Sequence, residues 1–160
     1  ASGSSVVPTV APYPRRPRKV NAMGIHERRI EIAKKLFAGW SSGDADAPRE
    51  YMTEDAVLFD IVSGRFEGWP AIRDFFAKGL QKWDDLVLAP DEFWVNDDGL
   101  ALHYQMYATV KDPTIYGPEY VGKVWRVEVM SLLKFRVDQV YYEADFHERS
   151  GRAKSLGIPS

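Results

Sequence analysis

The chain is expected to fold as one α+β domain, in which a curved, mainly antiparallel sheet wraps around N-terminal helices. Helical periodicity runs up to about Gln81, and long stretches rich in β-branched and aromatic residues follow it. Asn96-Asp97-Asp98-Gly99 reads as a hairpin turn between two of those stretches, since Asn, Asp and Gly tolerate the positive φ that such turns require. Helices first and antiparallel strands after is an α+β order. At 160 residues the chain makes one domain, in which roughly two-thirds of the unfolded surface is buried.

Residues 1–21 are rich in proline (Pro8, Pro12, Pro14, Pro17) and carry a basic cluster at Arg15, Arg16, Arg18 and Lys19. Proline bars a helix there, and little apolar surface is available, so the segment is expected to be an arm outside the domain. From His26, the apolar residues Ile30, Ala33, Leu36, Phe37 and Trp40 recur at helical spacing, predicting an amphipathic helix that ends near Gly43. Asp46 can cap a second, short helix with Pro48 in its first turn, running to about Met52. Ala56 to Asp60 reads as a short strand, and Trp69-Pro70 opens a third helix with Ile72, Phe75, Phe76 and Leu80 on one face. Strands are predicted over 87–95, 100–110, 120–135 and 139–147, with a longer connection, suited to a lid, from Asp112 to Pro118. The domain is expected over residues 22–150, with a tail over 151–160.

A formal charge of −2 gives no reason to expect binding to nucleic acid or to an anionic membrane. No run of about 18 apolar residues occurs and no signal peptide is visible, which points to a cytoplasmic location. The absence of cysteine excludes disulfides and thiol chemistry. His26, His103 and His147 lack the short spacings of a zinc site, so no metal is expected. Neither a phosphate-cradling glycine loop nor a Gly-x-Ser-x-Gly elbow is present, leaving chemistry without a cofactor. Aromatic residues form 13% of the chain, enough to line a cavity as well as a core.

Asp60 ends an apolar strand just before a helix whose apolar face can close over it, an environment that raises a carboxyl's pKa and suits proton transfer. Lys123 shares strand parity with Trp125, Val127 and Val129; desolvated on a concave face, its amine would serve as a base. His103 shares a face with Gln105 and Tyr107, a polar strip able to hydrogen-bond a phenol. Trp40, Tyr107, Trp125 and Tyr142 are candidate walls, and His147 a candidate rim residue. For each of these charged residues a plain structural role stays open as well.

The order helix, short helix, strand, helix and strand meander resembles the cone-shaped nuclear transport factor 2-like superfamily with its SnoaL-like enzymes. The resemblance is carried by Trp40-Ser41-Ser42-Gly43-Asp44, by Tyr51 to Val57, and by Gly68 with Ala71-Ile72 and Phe75-Phe76. It spans about Ile25 to His147 and implies relatives such as ketosteroid isomerase, scytalone dehydratase, epoxide hydrolases, polyketide cyclases and non-enzymatic binding modules. By that resemblance Asp60 falls at the isomerase's general base and Glu128 near its second oxyanion acid, whereas Leu36 and Phe37 occupy the positions of its oxyanion tyrosine. Glu143-Ala144-Asp145-Phe146-His147 is similar to an epoxide hydrolase ending, which would make Asp145 a catalytic carboxylate. That enzyme's Arg-x-Asp pair is not reproduced near His103. His103-Tyr104-Gln105 is similar to the dehydratase's histidine context and brings Tyr104 into the substrate-binding set, but Lys123 to Trp125 contains no second histidine.

Together these readings lead to an acid–base lyase or dehydratase without a cofactor, using Asp60, His103, Lys123 and Asp145 on a small hydroxylated aromatic or polycyclic substrate. A lignin-derived diaryl compound releasing water or a small aldehyde is a specific case. Epoxide hydrolase, polyketide cyclase and isomerase activities stay open, as does a non-catalytic ligand-binding or dimerisation module. Apolar residues on both faces of the strand from Val124 to Leu133 lead us to expect a homo-oligomer, dimer or trimer.

Overall fold

The computed structural model describes residues 23–159. The proline-rich arm expected over 1–21 lies outside the described residues. Helix α1 (Ile25–Trp40) is followed by a 3-10 turn (Ala47–Tyr51), strands β1 (Met52–Asp60) and β2 (Gly64–Glu67), and helix α2 (Trp69–Lys82). Strands β3 (Trp83–Val95) and β4 (Leu100–Val110), a helical turn α3 (Pro113–Tyr116), strands β5 (Val124–Arg136) and β6 (Gln139–Phe146), and a short helix α4 (Gly151–Ser155) complete the order. The six strands form one sheet in the order β2-β1-β6-β5-β4-β3. Among the described residues, only β1 and β6 pair in parallel. This is the expected α+β fold with a curved, mainly antiparallel sheet. No helix among the described residues is long and apolar enough to cross a membrane.

Helix α1 buries Ile32, Ala33, Leu36, Phe37 and Trp40 against the inner face of the sheet, as its periodicity predicts. Arg29 on the same helix is buried and donates from one guanidinium nitrogen to the carbonyls of Asn96 and Asp97, each at 2.8 Å, tying α1 to the β3–β4 hairpin. Gly68, the N-cap of α2, has φ 80° and ψ 150°, a backbone conformation that only glycine adopts without strain. The hairpin glycine is needed for another reason than the one expected. Gly99 does not have a positive φ; a Cβ there would sit 2.4 Å from the Leu133 carbonyl oxygen, so the neighbouring strand excludes any side chain.

Strand β5 alternates strictly, with Trp125, Val127, Val129, Ser131, Leu133 and Phe135 facing inward. Strand β6 does not alternate throughout. Lys134 pairs with Tyr142 and Phe135 with Val140, which leaves Tyr141 bulged out of the ladder. The bulge lets Val140 face the core at one end of β6 and Glu143 at the other, although they are three residues apart.

The boundaries depart from expectation where side chains are polar. β2 was not anticipated: four residues, half of them exposed, carry almost no apolar pattern. β1 starts four residues earlier than expected because paired Glu54 and Asp55 sit exposed within it. The stretch from Tyr120 to Lys123 is a 3-10 turn and bend ahead of β5. Residues 151–155, expected to be part of a tail, form α4 and pack on β5.

The outer face of the sheet carries a row of residues in register across five strands: Trp94, Ala101, Leu132, Ala144 and Phe59. Trp94, Leu132, Met130 and Phe146 are exposed there.

Candidate active site

The inner face of the sheet, α1, α2 and α4 enclose a partly open cavity of about 80 Å³. Its apolar walls include Trp40, Phe75, Phe76, Trp83, Leu88 and Trp125, and its polar groups are Asp60, Tyr104, Glu143, Asp145, His147 and Arg152. The Trp40 and Phe76 rings lie 4.2 Å apart and the Trp83 and Trp125 rings 5.2 Å apart, so the walls are packed aromatic pairs.

The polar cluster follows from sheet register. Asp60 at the end of β1 is the parallel-ladder partner of Asp145 on β6, and Asp145 is the antiparallel partner of Ser131 on β5. Both oxygens of Asp60 are occupied. Oδ1 accepts from the backbone N–H groups of Val62 at 3.0 Å and Ser63 at 2.6 Å, closing the turn into β2, while Oδ2 lies 3.0 Å from His147 Nε2. Burial pushes the Asp60 carboxyl up, but the His147 and Ser63 hydrogen bonds and the His147 charge outweigh it and hold the group below its ordinary value. The expectation of a raised pKa at Asp60 is therefore corrected: the turn amides and the histidine stabilise its anion.

The raised carboxyls lie on β6. Burial lifts Asp145 to about 7, with the Asp60 charge adding to the shift and the Ser131 hydrogen bond opposing it. Ser131 Oγ hydrogen-bonds Asp145 and lies 3.3 Å from the Tyr104 hydroxyl, linking three strands through one serine. Glu143, two residues before Asp145, is 1% exposed; burial first and the Asp145 charge second push it well above the carboxylate range, against the Trp40 hydrogen bond. Tyr104 is likewise held in its neutral form, chiefly by burial. The His147 side chain is 2% exposed, and its Nδ1 has no partner among the described residues. An imidazole whose Nε2–H donates to Asp60 leaves Nδ1 as a lone-pair acceptor.

Of the expected residues, the structure brings Asp60, Asp145, His147, Trp40, Tyr104 and Trp125 to one cavity. It does not bring His103, Tyr107, Glu128, Lys123 or Tyr142 there. His103 and Tyr107 have the opposite parity to Tyr104 on β4 and lie on the outer face. His103 Nδ1 is 2.7 Å from Asp91 and Nε2 is 2.9 Å from Glu128; the Asp91 hydrogen bond, with help from both charges, raises its pKa. Glu128 also accepts from Gln105 at 2.9 Å, and Arg126 stacks over Tyr107 with 5.1 Å to the ring centroid. The polar strip is thus satisfied by itself. Lys123 precedes β5, stays exposed, and sets its ammonium 4.5 Å from the Tyr120 ring centroid, so the desolvation expected of it is absent. Tyr142 has opposite strand parity to Asp145 and packs under Lys134 on the outer face.

Glu143 and Arg152 were missed as individual site residues. Glu143 was legible: it is two residues from Asp145 on a strand and so shares its face. Arg152 carries no such signal, since its position depends on how α4 folds back. Among the described residues no group of three or more metal-ligating side chains occurs.

Comparison with known proteins agrees with this architecture. A candidate SnoaL-like polyketide cyclase from Jannaschia sp. CCS1 superposes with a TM-score of 0.71 at 19% identity, covering 88% of this chain and 99% of its own. A candidate polyketide cyclase from Xanthomonas campestris pv. campestris gives a TM-score of 0.72 at 14% identity, with coverages of 82% and 98%. A hypothetical protein of ketosteroid isomerase-like fold from Catenulispora acidiphila DSM 44928, solved with trimethylamine, gives 0.70 at 17% identity, with coverages of 81% and 94%. No curated protein matches by sequence. These structures share the cone-shaped nuclear transport factor 2-like fold. Residues 33–152 match the family model described as a SnoaL-like domain, and the chain belongs to that family.

Proposed function

We propose that this protein is an acid–base enzyme, a lyase or dehydratase, acting on a small hydroxylated aromatic substrate. Membership of the SnoaL-like family supports an enzyme that converts small molecules. The observation that carries the finer reading is the pairing of a carboxyl at about 7 with a buried, oriented histidine in one aromatic cavity. Asp145 in its acid form donates its proton to the leaving hydroxyl as the C–O bond breaks. His147 Nδ1 takes a proton from the neighbouring carbon, and the C–H electron pair becomes the new C=C bond. Water leaves, Asp145 ends as carboxylate and His147 as imidazolium, and exchange between the two restores the starting state. If His147 instead takes the proton of a hydroxyl one carbon further on, the C–C bond breaks and a small aldehyde departs with the water. Glu143 and Tyr104 remain protonated donors for the substrate's oxygens. A cavity of about 80 Å³ suits one ring, so a diaryl substrate would leave its second ring at the mouth.

The reading is tested by incubating the protein, in the presence of a chelator, with phenolic alcohols and diols and weighing the products. Turnover with loss of one water, or of water and an aldehyde, is the expected result. A product of unchanged mass would indicate cyclisation or isomerisation, and binding without any product would indicate a ligand-binding module.

We also propose that the outer sheet face joins two copies. The Trp94, Ala101, Leu132, Ala144 and Phe59 row crosses five strands in register, and Trp94, Leu132, Met130 and Phe146 are exposed along it. A two-fold partner would cover this apolar row with its own. Light scattering should give a dimer for the parent and a monomer for Leu132→Glu; a monomeric parent would end the idea.

A further inference from the structure

We infer that Arg152 is an anion anchor and that the natural ligand of this cavity carries a carboxylate beside its aromatic ring. The inference rests on the reading of this cavity as the substrate site, but not on its acid–base chemistry.

Arg152 comes from α4 and reaches the cavity wall over two indoles, with its guanidinium carbon 4.7 Å from the Trp125 ring centroid and 5.7 Å from that of Trp83. Its Nε is buried and has no partner, and no carboxylate lies within ion-pair distance, among the described residues. Glu143 Oε2, His147 Nδ1 and Trp125 Nε1 are also buried without a partner among the described residues, but Arg152 supplies the cavity's one guanidinium, and the remaining polar groups are engaged. Arg29 holds the hairpin carbonyls, Asp60 holds its turn and His147, and Ser131 holds Asp145. A half-buried cation without an ion-pair partner is incompletely compensated, and desolvation weighs against the charged form of Arg152.

None of the cavity's own carboxyls makes an ion pair with it, although the Asp60 charge favours its cation from farther off. Asp60 has both oxygens engaged, and Glu143 and Asp145 are held toward their neutral forms. The guanidinium sits against the Trp125 and Trp83 rings, which are inclined at 72° to each other, and its unpartnered Nε–H remains available to a planar, two-oxygen acceptor. A carboxylate meets a guanidinium edge with two parallel hydrogen bonds; a neutral amide offers one acceptor and a competing donor. The ligand's ring would then lie against the Trp40 and Phe76 wall of the same cavity.

The test titrates intrinsic tryptophan fluorescence with 4-hydroxybenzoate and with 4-hydroxybenzamide at pH 6, where the acid is ionised and Asp145 is largely protonated. The parent should bind the acid about tenfold or more tightly than the amide. Arg152→Met, checked for folding by circular dichroism, should lose that preference while keeping its affinity for the amide, and Arg152→Lys should keep part of it. Equal affinity for acid and amide in the parent would overturn the inference whether or not the variants fold. So would a preference that survives in folded Arg152→Met. Binding of neither ligand would overturn the cavity reading along with it. A clear preference for the acid without turnover of any substrate would leave the anchor standing and remove the acid–base reading instead.

Discussion

Asp145→Asn is expected to lower turnover by about 10²- to 10⁴-fold while substrate binding persists, because it removes the proton donor and little volume. The parent's kcat/KM should fall as pH rises through about 7, where Asp145 loses its proton, and that limb should be missing from whatever activity the variant retains. Stability should move the other way. Between an ordinary 3.8 and about 7 the folded protein holds a proton on Asp145 that the unfolded chain has released, so native stability declines as pH rises across that window. At about 1.4 kcal/mol per unit, the decline reaches at most roughly 4 kcal/mol. Asp145→Asn should therefore be more stable than the parent above pH 7 and no more stable near pH 4. Thermal melts at the two pH values check this, and a variant destabilised at pH 8 would refute the desolvated-carboxyl account. Stability gained together with activity lost is what a group kept for chemistry rather than for folding should show.

Asp60→Asn is expected to lower kcat by about 10²-fold or more with little change in KM, since Asp60 acts through His147 as a positioning residue. The parent carboxylate accepts from two turn amides with one oxygen and from His147 with the other. An asparagine has only one such oxygen. If that oxygen keeps the turn, the NH₂ faces His147, favours the tautomer with its proton on Nδ1, and takes away the acceptor that the reaction needs. The sign for stability is opposite to that of Asp145. The Asp60 carboxyl is held below its ordinary value, so its contribution is present above the unfolded value and is lost as pH falls through the folded one. Asp60→Asn should melt below the parent at pH 7, and the gap should close on acidification. Equal kcat in the two proteins would remove Asp60 and His147 from the mechanism. The two variants thus separate two carboxyls that sit side by side in the ladder.

The helices were legible because α1 and α2 each bury one stripe against the sheet, and a 3.6-residue period reports that directly. The long strands were legible for the corresponding reason, and the β3–β4 hairpin from its turn residues. The short β2, stabilised by pairing with β1 rather than by an apolar pattern, was not. Within the site, Asp60 could be singled out from its place at the end of an apolar strand, and Asp145 from the resemblance of the stretch from Glu143 to His147 to an epoxide hydrolase ending. Which of them titrates near neutrality could not, because that depends on the Val62 and Ser63 amides and on His147, which is 87 residues from Asp60 along the chain.

By itself the sequence determined the fold class, the order of its principal elements, the buried stripes of the helices and the two-residue alternation of β5. Those properties are local, since periodicity and turn chemistry act over a few residues. Tertiary structure decided which face of the sheet is the cavity, sending His103, Tyr107, Glu128 and Tyr142 outward and leaving Lys123 in water. It also decided that α4 would bring Arg152 in beside Trp125. Strand parity divides residues into two faces without saying which is concave, and desolvation and hydrogen bonding depend on contacts between segments far apart in the chain.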